Sequence, residues 1–255
     1  MADGEIAAAR RLISVATRMV GFTGAGISTE SGVPDFRSPN SPWLSNKPIA
    51  FDAFLANETA RIEAWRRKFR MDDIYAGAKP SRGHIAMANL VRARRMQAIV
   101  TQNIDGLHQA AGVDPSKVIE LHGNGTYARC LSCGLRHELA DVRRQFEHDS
   151  RAPTCVSCDG PVKSATISFG QAMPAVAVQR AEDLAKDCDL FLVTGSSLVV
   201  YPAAFLPAIA RRFGARLVII NREATEFDEM ADIVVHADIG ETLAPFSESE
   251  LFTGG

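Results

Sequence analysis

Between Glu5 and Arg18 the apolar residues Ile6, Ala9, Leu12, Ile13 and Ala16 recur at helical spacing, and the pattern then changes to a short apolar run, Met19-Val20-Gly21-Phe22-Thr23, that ends in glycines. A period near 3.6 giving way to such a run predicts a helix, a buried strand and a glycine loop in succession. A Pro- and Ser-rich stretch over 34–48 interrupts the pattern. Helical periods return over about 58–70 and, from a capping Ser81, over 82–95. Strand-like runs follow at 98–101, 117–121, 189–194, 216–220 and 232–236, separated by helical stretches such as 174–187 and 202–213. Apolar strands alternating with helices predict an α/β fold with a parallel sheet covered on both faces. Residues 123–170 break the rhythm: they show little helical period, hold four cysteines and read as a small insert without its own core. The tail after Phe246 reads as a frayed end.

A length of 255 residues allows one large domain carrying such an insert. The content of 46% hydrophobic and 23% charged residues is that of an ordinary globular chain. A formal charge of −2 gives no basic excess of the kind a direct nucleic-acid binder shows. No apolar run reaches the roughly 18 residues of a spanning helix, so no membrane partner is predicted. The basic stretch 61–95 and the acidic stretch 221–255 read as solvated faces. Asp3, Glu5, Arg10 and Arg11 stand where a signal peptide would need an apolar core, so a cytoplasmic, reducing setting is expected. There, cysteines are read as metal ligands or core residues before disulfides.

Cys130-Leu-Ser-Cys133 and Cys155-Val-Ser-Cys158 form two knuckles separated by residues 134–154. Each knuckle can bring two sulfurs to one metal, and two knuckles close a tetrahedron with no position left for substrate water. The pattern predicts a structural zinc held by Cys130, Cys133, Cys155 and Cys158. Cys188, outside the cluster, reads as a buried unligated thiol.

Gly24-Ala25-Gly26-Ile27-Ser28 follows a predicted strand, where a parallel sheet can cradle a pyrophosphate. Thr29 stands where the full dinucleotide fingerprint has its third glycine, so an ordinary dehydrogenase fits badly. Three further strand ends carry polar groups suited to a ligand: Gln102, Asn103 and Asp105; Gly195, Ser196 and Ser197; and Asn221 with Glu223. Together they point to a nucleotide cofactor. Among six histidines, His122 is best placed for acid–base work, directly after the 117–121 strand and before Gly123, which frees the backbone around it. His84 and His108 read as packing or capping residues. His137 and His148 belong to the insert, and His236 has no chemical partner nearby in sequence.

From Glu5 to about Phe246 the chain resembles the sirtuins, NAD-dependent protein deacylases. The resemblance is carried in order by GAGISTESGVPDFR from Gly24, TQNIDGLH from Thr101, ELHGN from Glu120, the two knuckles, SFG from Ser168, GSSLVVYPA from Gly195 and IINRE from Ile219. It implies a Rossmann-like NAD-binding domain formed by 1–34, 97–122 and 172–255. Residues 35–96 would supply the cofactor loop and the helical part of a small domain, and 123–171 its zinc-ribbon part. It also implies that Gly24, Ala25, Gly26, Ser28 and Thr29 approach the pyrophosphate, and that Phe36 and Arg37 lie beside the nicotinamide. Gln102, Asn103, Ile104 and Asp105 would hold nicotinamide and its ribose. Gly195, Ser196, Ser197, Asn221, Glu223, Asp238 and Ile239 would hold the adenosine half. An acyl-lysine peptide would be added as a strand between Ile167, Phe169 and Gly170 on one side and Leu198 and Val199 on the other.

The implied reaction consumes NAD: nicotinamide leaves as the acyl oxygen attacks the ribose, His122 takes a ribose proton, and the acyl group passes to ADP-ribose. Asn103 and Asp105 would orient the ribose, making His122, Asn103 and Asp105 the catalytic set. Acetyl-lysine is the default substrate. ADP-ribosyl transfer or NAD hydrolysis on the same scaffold is the alternative, against which the intact ELHGN and FG motifs argue; a non-catalytic NAD- or zinc-dependent module is a third reading. Two departures from the family pattern stand out. Gln171 follows Phe169-Gly170 where an acid is usual. Members that prefer acidic acyl groups carry Tyr-x-x-Arg in the helical part, and the nearest stretch here, Trp65-Arg66-Arg67-Lys68, does not match it. A deacylase preferring non-acetyl acyl groups such as succinyl is therefore a minor alternative, in which Lys68 or a neighbouring Arg could still meet a carboxylate.

Overall fold

The computed structural model describes residues 2–248; the expected fraying of the tail therefore falls for the most part outside the described residues. In chain order the helices are α1 (Ala2–Val15), α2 (Phe51–Ala56), α3 (Glu58–Ile74), α4 (Arg82–Arg92), α5 (Leu107–Ala110), α6 (Leu139–Asp149), α7 (Ala175–Asp187), α8 (Leu206–Arg212), α9 (Ile239–Thr242) and α10 (Ala244–Ser247). The strands are β1 (Met19–Thr23), β2 (Met96–Thr101), β3 (Val118–Glu120), β4 (Gly123–Cys130), β5 (Arg136–Glu138), β6 (Val162–Thr166), β7 (Leu190–Thr194), β8 (Arg216–Ile220) and β9 (Ile233–Val235). No helix among the described residues is long and apolar enough to cross a membrane.

Six strands form one parallel sheet in the order β3-β2-β1-β7-β8-β9. Alternation along each strand divides its side chains between two apolar layers. Met19, Ile99, Leu190, Leu192, Val218 and Ile220 join the layer with α1, α4 and α10, while Val20, Phe22, Val100, Phe191, Val193 and Ile219 join the layer with α7 and α8. Both faces are buried, which is why these strands read as continuous apolar runs. The order reverses between β1 and β7, and open parallel sheets bind their ligands at such a switch point. The strands end there in Thr23, Thr101 and Thr194, which lie side by side, and the Thr23 hydroxyl donates to that of Thr101 at 2.8 Å.

β4, β5 and β6 form a separate antiparallel sheet in the order β5-β4-β6. The insert departs from expectation in two ways. It contains a helix, α6, whose apolar stripe is only Leu139, Val142 and Phe146 among charged neighbours, too narrow to register as a period. It also has a small core, Ala128, Cys130, Val142, Cys155 and Val162, completed by Trp65 and Phe69 from α3. α4 and Met96, which lie within the 35–96 segment, pack in the large-sheet core through Ala86, Met87 and Leu90. The helices that flank the small sheet are α3 and α6.

Candidate active site and thiolate cluster

The loops after β1 and β7 interlock at the switch point. Gly26 N–H donates to the Gly195 carbonyl at 2.8 Å and Gly24 N–H to the Thr194 carbonyl at 3.1 Å. A Cβ on Gly195, whose φ is +63°, would stand 2.4 Å from Ile27 N, and one on Gly24 would stand 2.6 Å from Gly195 O. These glycines are therefore required by the close approach of two loops. The turn leaves the Thr29 hydroxyl, which also donates to Gly26 O, on the wall of a cleft of about 270 Å³.

That cleft runs along the carboxyl ends of the strands and collects Ala25, Phe36, Arg37, Ser196, Ser197, Asn221, Glu223, Asp238 and Ile239 along with the three glycines. Glu30, Arg222 and Gly240 join them without having been anticipated. Arg37 spans the opening by donating to the Ser197 hydroxyl. Its loop is held by Asp35, whose carboxylate accepts from the backbone N–H groups of Arg37 at 2.9 Å and Ser38 at 2.7 Å. Phe36 stacks on Trp43 with ring centroids 4.7 Å apart. His236, isolated in sequence, has partners in space: its Nδ1 meets the Asn221 carbonyl at 2.9 Å and its Nε2 faces Asp228 at 3.3 Å. Hydroxyls, a guanidinium and the Glu223 carboxylate together have the chemistry that a dinucleotide's phosphates and sugar hydroxyls require.

A second, more apolar cleft of about 880 Å³ opens between the large sheet and the small module. Ala25, Phe36, Arg37, Gln102, Asn103 and His122 line both clefts, so the second continues the first. Ser28, Ile104 and Asp105 line the second only. Ser28 is the hub of their hydrogen bonds. Its hydroxyl donates to Asp105 Oδ2 at 2.7 Å and accepts from Asn103 Nδ2 at 3.2 Å, while Asn103 Nδ2 also donates to the Gly24 carbonyl at 3.0 Å. Asp105 Oδ1 accepts from Leu107 N–H at 2.9 Å, so this carboxylate is fixed on both oxygens. Gln102 Nε2 donates to Ser196 at 2.8 Å and ties the β2 and β7 ends together.

His122 stands at the junction. Its Nδ1 lies 3.0 Å from the Gln102 carbonyl. A carbonyl only accepts, so Nδ1 carries the proton and Nε2 is left with a free lone pair. Burial lowers the pKa of this imidazole below its ordinary value, and the Gln102 hydrogen bond offsets part of the effect. Gly123, at φ +73°, turns the chain directly after it, and a Cβ there would lie 2.1 Å from Ala165 O. Beneath the site, His84 caps α4 and packs on His108 with ring centroids 4.8 Å apart. Both are held neutral by burial, His84 down to about 4 and His108 well below its ordinary value.

Ile167, Phe169 and Gly170 also line the second cleft, whereas Leu198 and Val199 line neither. Leu198 is a core side chain at φ +54°, and its N–H donates to Ser196 at 3.2 Å. Neither segment is a strand: residues 168–171 form a turn in which Gln171 N–H donates to the Ser168 carbonyl at 2.9 Å, and Gln171 Oε1 accepts from Ser168 N–H. The pattern of two preformed strands is therefore absent from these residues. Unanticipated lining residues are Trp43, Ile49, Met71, Tyr75, Lys163 and Tyr201. Trp43, Ile49, Met71 and Tyr75 come from the 35–96 segment and Lys163 from β6, where no strand end marks them, and Tyr201 comes from the loop after β7. Lys163 is a buried ammonium whose pKa is pushed down to about 8 by burial, with the Thr166 carbonyl at 2.6 Å.

The sulfurs of Cys130, Cys133, Cys155 and Cys158 lie within 4.8 Å of one another. Cys130 and Cys158 are 3.5 Å apart and Cys133 and Cys155 3.6 Å. A tetrahedron with zinc–sulfur bonds of about 2.3 Å has edges of roughly 3.8 Å, so the cluster matches a four-thiolate zinc site. Backbone N–H groups of Ser132 and Cys133 donate to the Cys130 sulfur, as suits a thiolate. Cys188 is buried apart from the cluster, its thiol pushed up to about 12 chiefly by burial.

A parallel sheet with a dinucleotide-type cleft at its switch point, joined to a four-thiolate module across a second cleft, defines an α/β protein of the two-lobed, zinc-bearing kind. The chain belongs to the Sir2 family, whose model matches residues 24–202. It is 59% identical over 235 residues to an NAD-dependent protein deacetylase of Rhodopseudomonas palustris, covering 92% of this chain and 93% of that one. It is 58% identical to NAD-dependent protein deacetylase 1 of Bradyrhizobium diazoefficiens, covering 92% of each. Among solved structures it is similar to a Sir2 protein with a p53 peptide and NAD+, with a TM-score of 0.83 and 37% identity over 93% of this chain and 95% of that one. A Sir2 protein bound to acetylated peptide gives a TM-score of 0.85 and 34% identity, covering 97% of this chain and 99% of that one.

Proposed function

We propose that this chain is an NAD-dependent protein lysine deacetylase that releases nicotinamide and passes the acyl group of an acyl-lysine to ADP-ribose. The observation that carries the reading is His122 at the join of the two clefts, with Nδ1 spent on the Gln102 carbonyl and Nε2 free as a base. Bound NAD supplies the electrophilic sugar carbon and the leaving nicotinamide. Asn103 and Asp105, fixed through Ser28, orient the ribose, and His122 Nε2 receives a hydroxyl proton at neutral pH, where it is unprotonated. The first cleft takes the dinucleotide and the second the acyl-lysine, so the reacting groups meet away from bulk water. Zinc, held by the four cysteines, has no role in the chemistry because the cluster has no open position. Relatives named as NAD-dependent deacetylases, and Sir2 structures holding an acetylated peptide or NAD+, support this assignment. A cytoplasmic setting belongs to the same reading, supported by thiols that must stay reduced to hold a metal.

Incubation with NAD and an acetylated peptide, followed by mass spectrometry, tests it. Nicotinamide release that depends on the peptide and equals the acyl-ADP-ribose formed is expected, and His122→Ala should lower it about 10²–10⁴-fold. Peptide-independent nicotinamide release would favour NAD hydrolysis instead. Undiminished turnover in the variant would remove His122 from its role.

A further inference from the structure

The second cleft holds a charged group that the reaction leaves unused. Lys68 projects from α3 with a side chain only 13% exposed, and its ammonium contacts both carboxylate oxygens of Asp72, one helical turn on. The Tyr75 hydroxyl donates to Asp72 Oδ1 at 3.2 Å. Lys68 and Tyr75 line the cleft that contains His122, Ile104 and Asp105. An ammonium and a phenol converging on one point of an apolar cleft form a receptor for a carboxylate. Here the protein's own carboxylate fills it.

The arrangement bears on which acyl groups the cleft accepts. An acyl chain ending in a methyl group asks nothing of Lys68 and can lie on the apolar wall of Trp65 and Met71. One ending in a carboxylate would bring a second anion beside Asp72 and find the ammonium and the phenol already engaged. Like-charge repulsion and an unpaired buried anion both count against it. The other cations on the cleft wall do not replace Lys68. Arg67 is bound to Glu63 at 2.7 Å and Arg37 is turned to Ser197, while Lys163 is directed at the Thr166 carbonyl.

We propose that Asp72 is a specificity-determining residue: by neutralising Lys68 and occupying Tyr75 it restricts this enzyme to neutral acyl-lysines, and its removal opens the site to acyl groups that end in a carboxylate. Asp72 acts through Lys68 and touches neither reacting group, so it is a positioning residue. The inference rests on the deacylase reading, and the substrates below separate failure of one from failure of the other.

The test compares acetyl-, succinyl- and succinamyl-lysine forms of one peptide, the last matching succinyl in size without its charge. Wild-type protein should favour acetyl over succinyl. Asp72→Asn keeps the shape and an acceptor for Tyr75 while freeing the ammonium. It should raise kcat/KM for the succinyl peptide about 10- to 100-fold, mainly through KM, and leave the acetyl and succinamyl peptides within about threefold. Adding Lys68→Met should abolish the gain. The proposal is overturned if wild-type protein removes succinyl as well as acetyl, or if Asp72→Asn leaves the ratio unchanged while its melting temperature and NAD binding match wild type. An equal gain for succinamyl would mean that space was opened, and a gain that survives Lys68→Met would assign the anion to another cation; either result overturns it. Loss of melting transition in Asp72→Asn shifts the test to Asp72→Ser, judged by the same ratio. Absence of acetyl turnover in wild-type protein that binds NAD would refute the deacylase reading.

Discussion

The six-stranded sheet and the cysteine module are held together by different means. Each central strand of the sheet buries side chains on both faces, Met19 and Leu192 toward one layer and Phe22 and Val193 toward the other. Apolar burial at about 25 cal/mol per Å² is sufficient there. The small sheet has a core of a few side chains, two of them cysteines, and borrows its aromatic ring stack from α3: Trp65 on Phe69 at 5.3 Å and Phe69 on Phe146 at 5.7 Å. A module of that size depends on a metal and on a neighbouring helix. The lesson is that the lobe providing one wall of the second cleft is the less autonomous of the two.

Metal removal should divide them most strongly. Structural zinc contributes apparent binding free energies of about 10–16 kcal/mol in small finger peptides, more than the module's core can replace. Chelation should expose β4–β6 to protease and abolish deacylation, while circular dichroism shows the parallel sheet still folded. Survival of the module, with unchanged protease resistance, would break the comparison.

A matched pair of core truncations should sharpen it. Trp65 and Phe22 are both almost wholly buried. Replacement of either by Ala removes about 3–5 kcal/mol. In Phe22→Ala the cost should fall on global unfolding, seen as a lower main melting transition. In Trp65→Ala it should fall on the module alone, seen as faster hydrogen exchange in β4 and β6 and loss of the indole bond to the Val162 carbonyl, with β1 and β7 unchanged.

Acid should act in the opposite sense, through the large sheet. His84 and His108 are neutral in the folded protein, with pKa values below the ordinary 6.5, about 4 for His84. The unfolded chain therefore binds more protons as pH falls below 6.5, so the stability these groups contribute above that pH is lost progressively as pH falls, down to about pH 4 for His84. Each such proton adds a slope of about 1.4 kcal/mol per pH unit. Hydrogen exchange in β1 and β2 should quicken below pH 6.5, and His84→Gln should flatten the slope.

The two regions also differ in how far the sequence discloses them. The large-sheet strands were legible to within a residue or two, because burial on both faces writes itself as unbroken apolar runs. The knuckles were legible because thiolate spacing is a metal requirement. α6 was not, since its stripe is three residues wide, and neither was the role of Trp65 and Phe69, which lie in α3 at a distance of many residues from the sheet they complete. The strand ends disclosed the first cleft, because ligands of parallel sheets lie there. The wall formed by Met71, Tyr75 and Lys163 has no such marker: it exists only once α3 and β6 meet. The Leu198 side chain turns into the core, so a peptide strand added there would meet its backbone.

His122 is where the two regions meet, and the smallest predicted effect tests whether they act on one another. It follows β3 of the large sheet, precedes β4 of the module, and its carbonyl accepts from Ile167 N–H at 2.8 Å. Desolvation, the main cause of its lowered pKa, thus depends on the module staying packed. In wild-type protein the acid limb of kcat/KM should have its midpoint below pH 6.5, because the free imidazole persists to lower pH than in water. In Trp65→Ala, where the module loosens, the imidazole gains water and the midpoint should rise toward 6.5. A midpoint at or above 6.5 in wild type would mean that the imidazole is not shielded, and an unmoved midpoint in Trp65→Ala would mean that the sheet alone shields it.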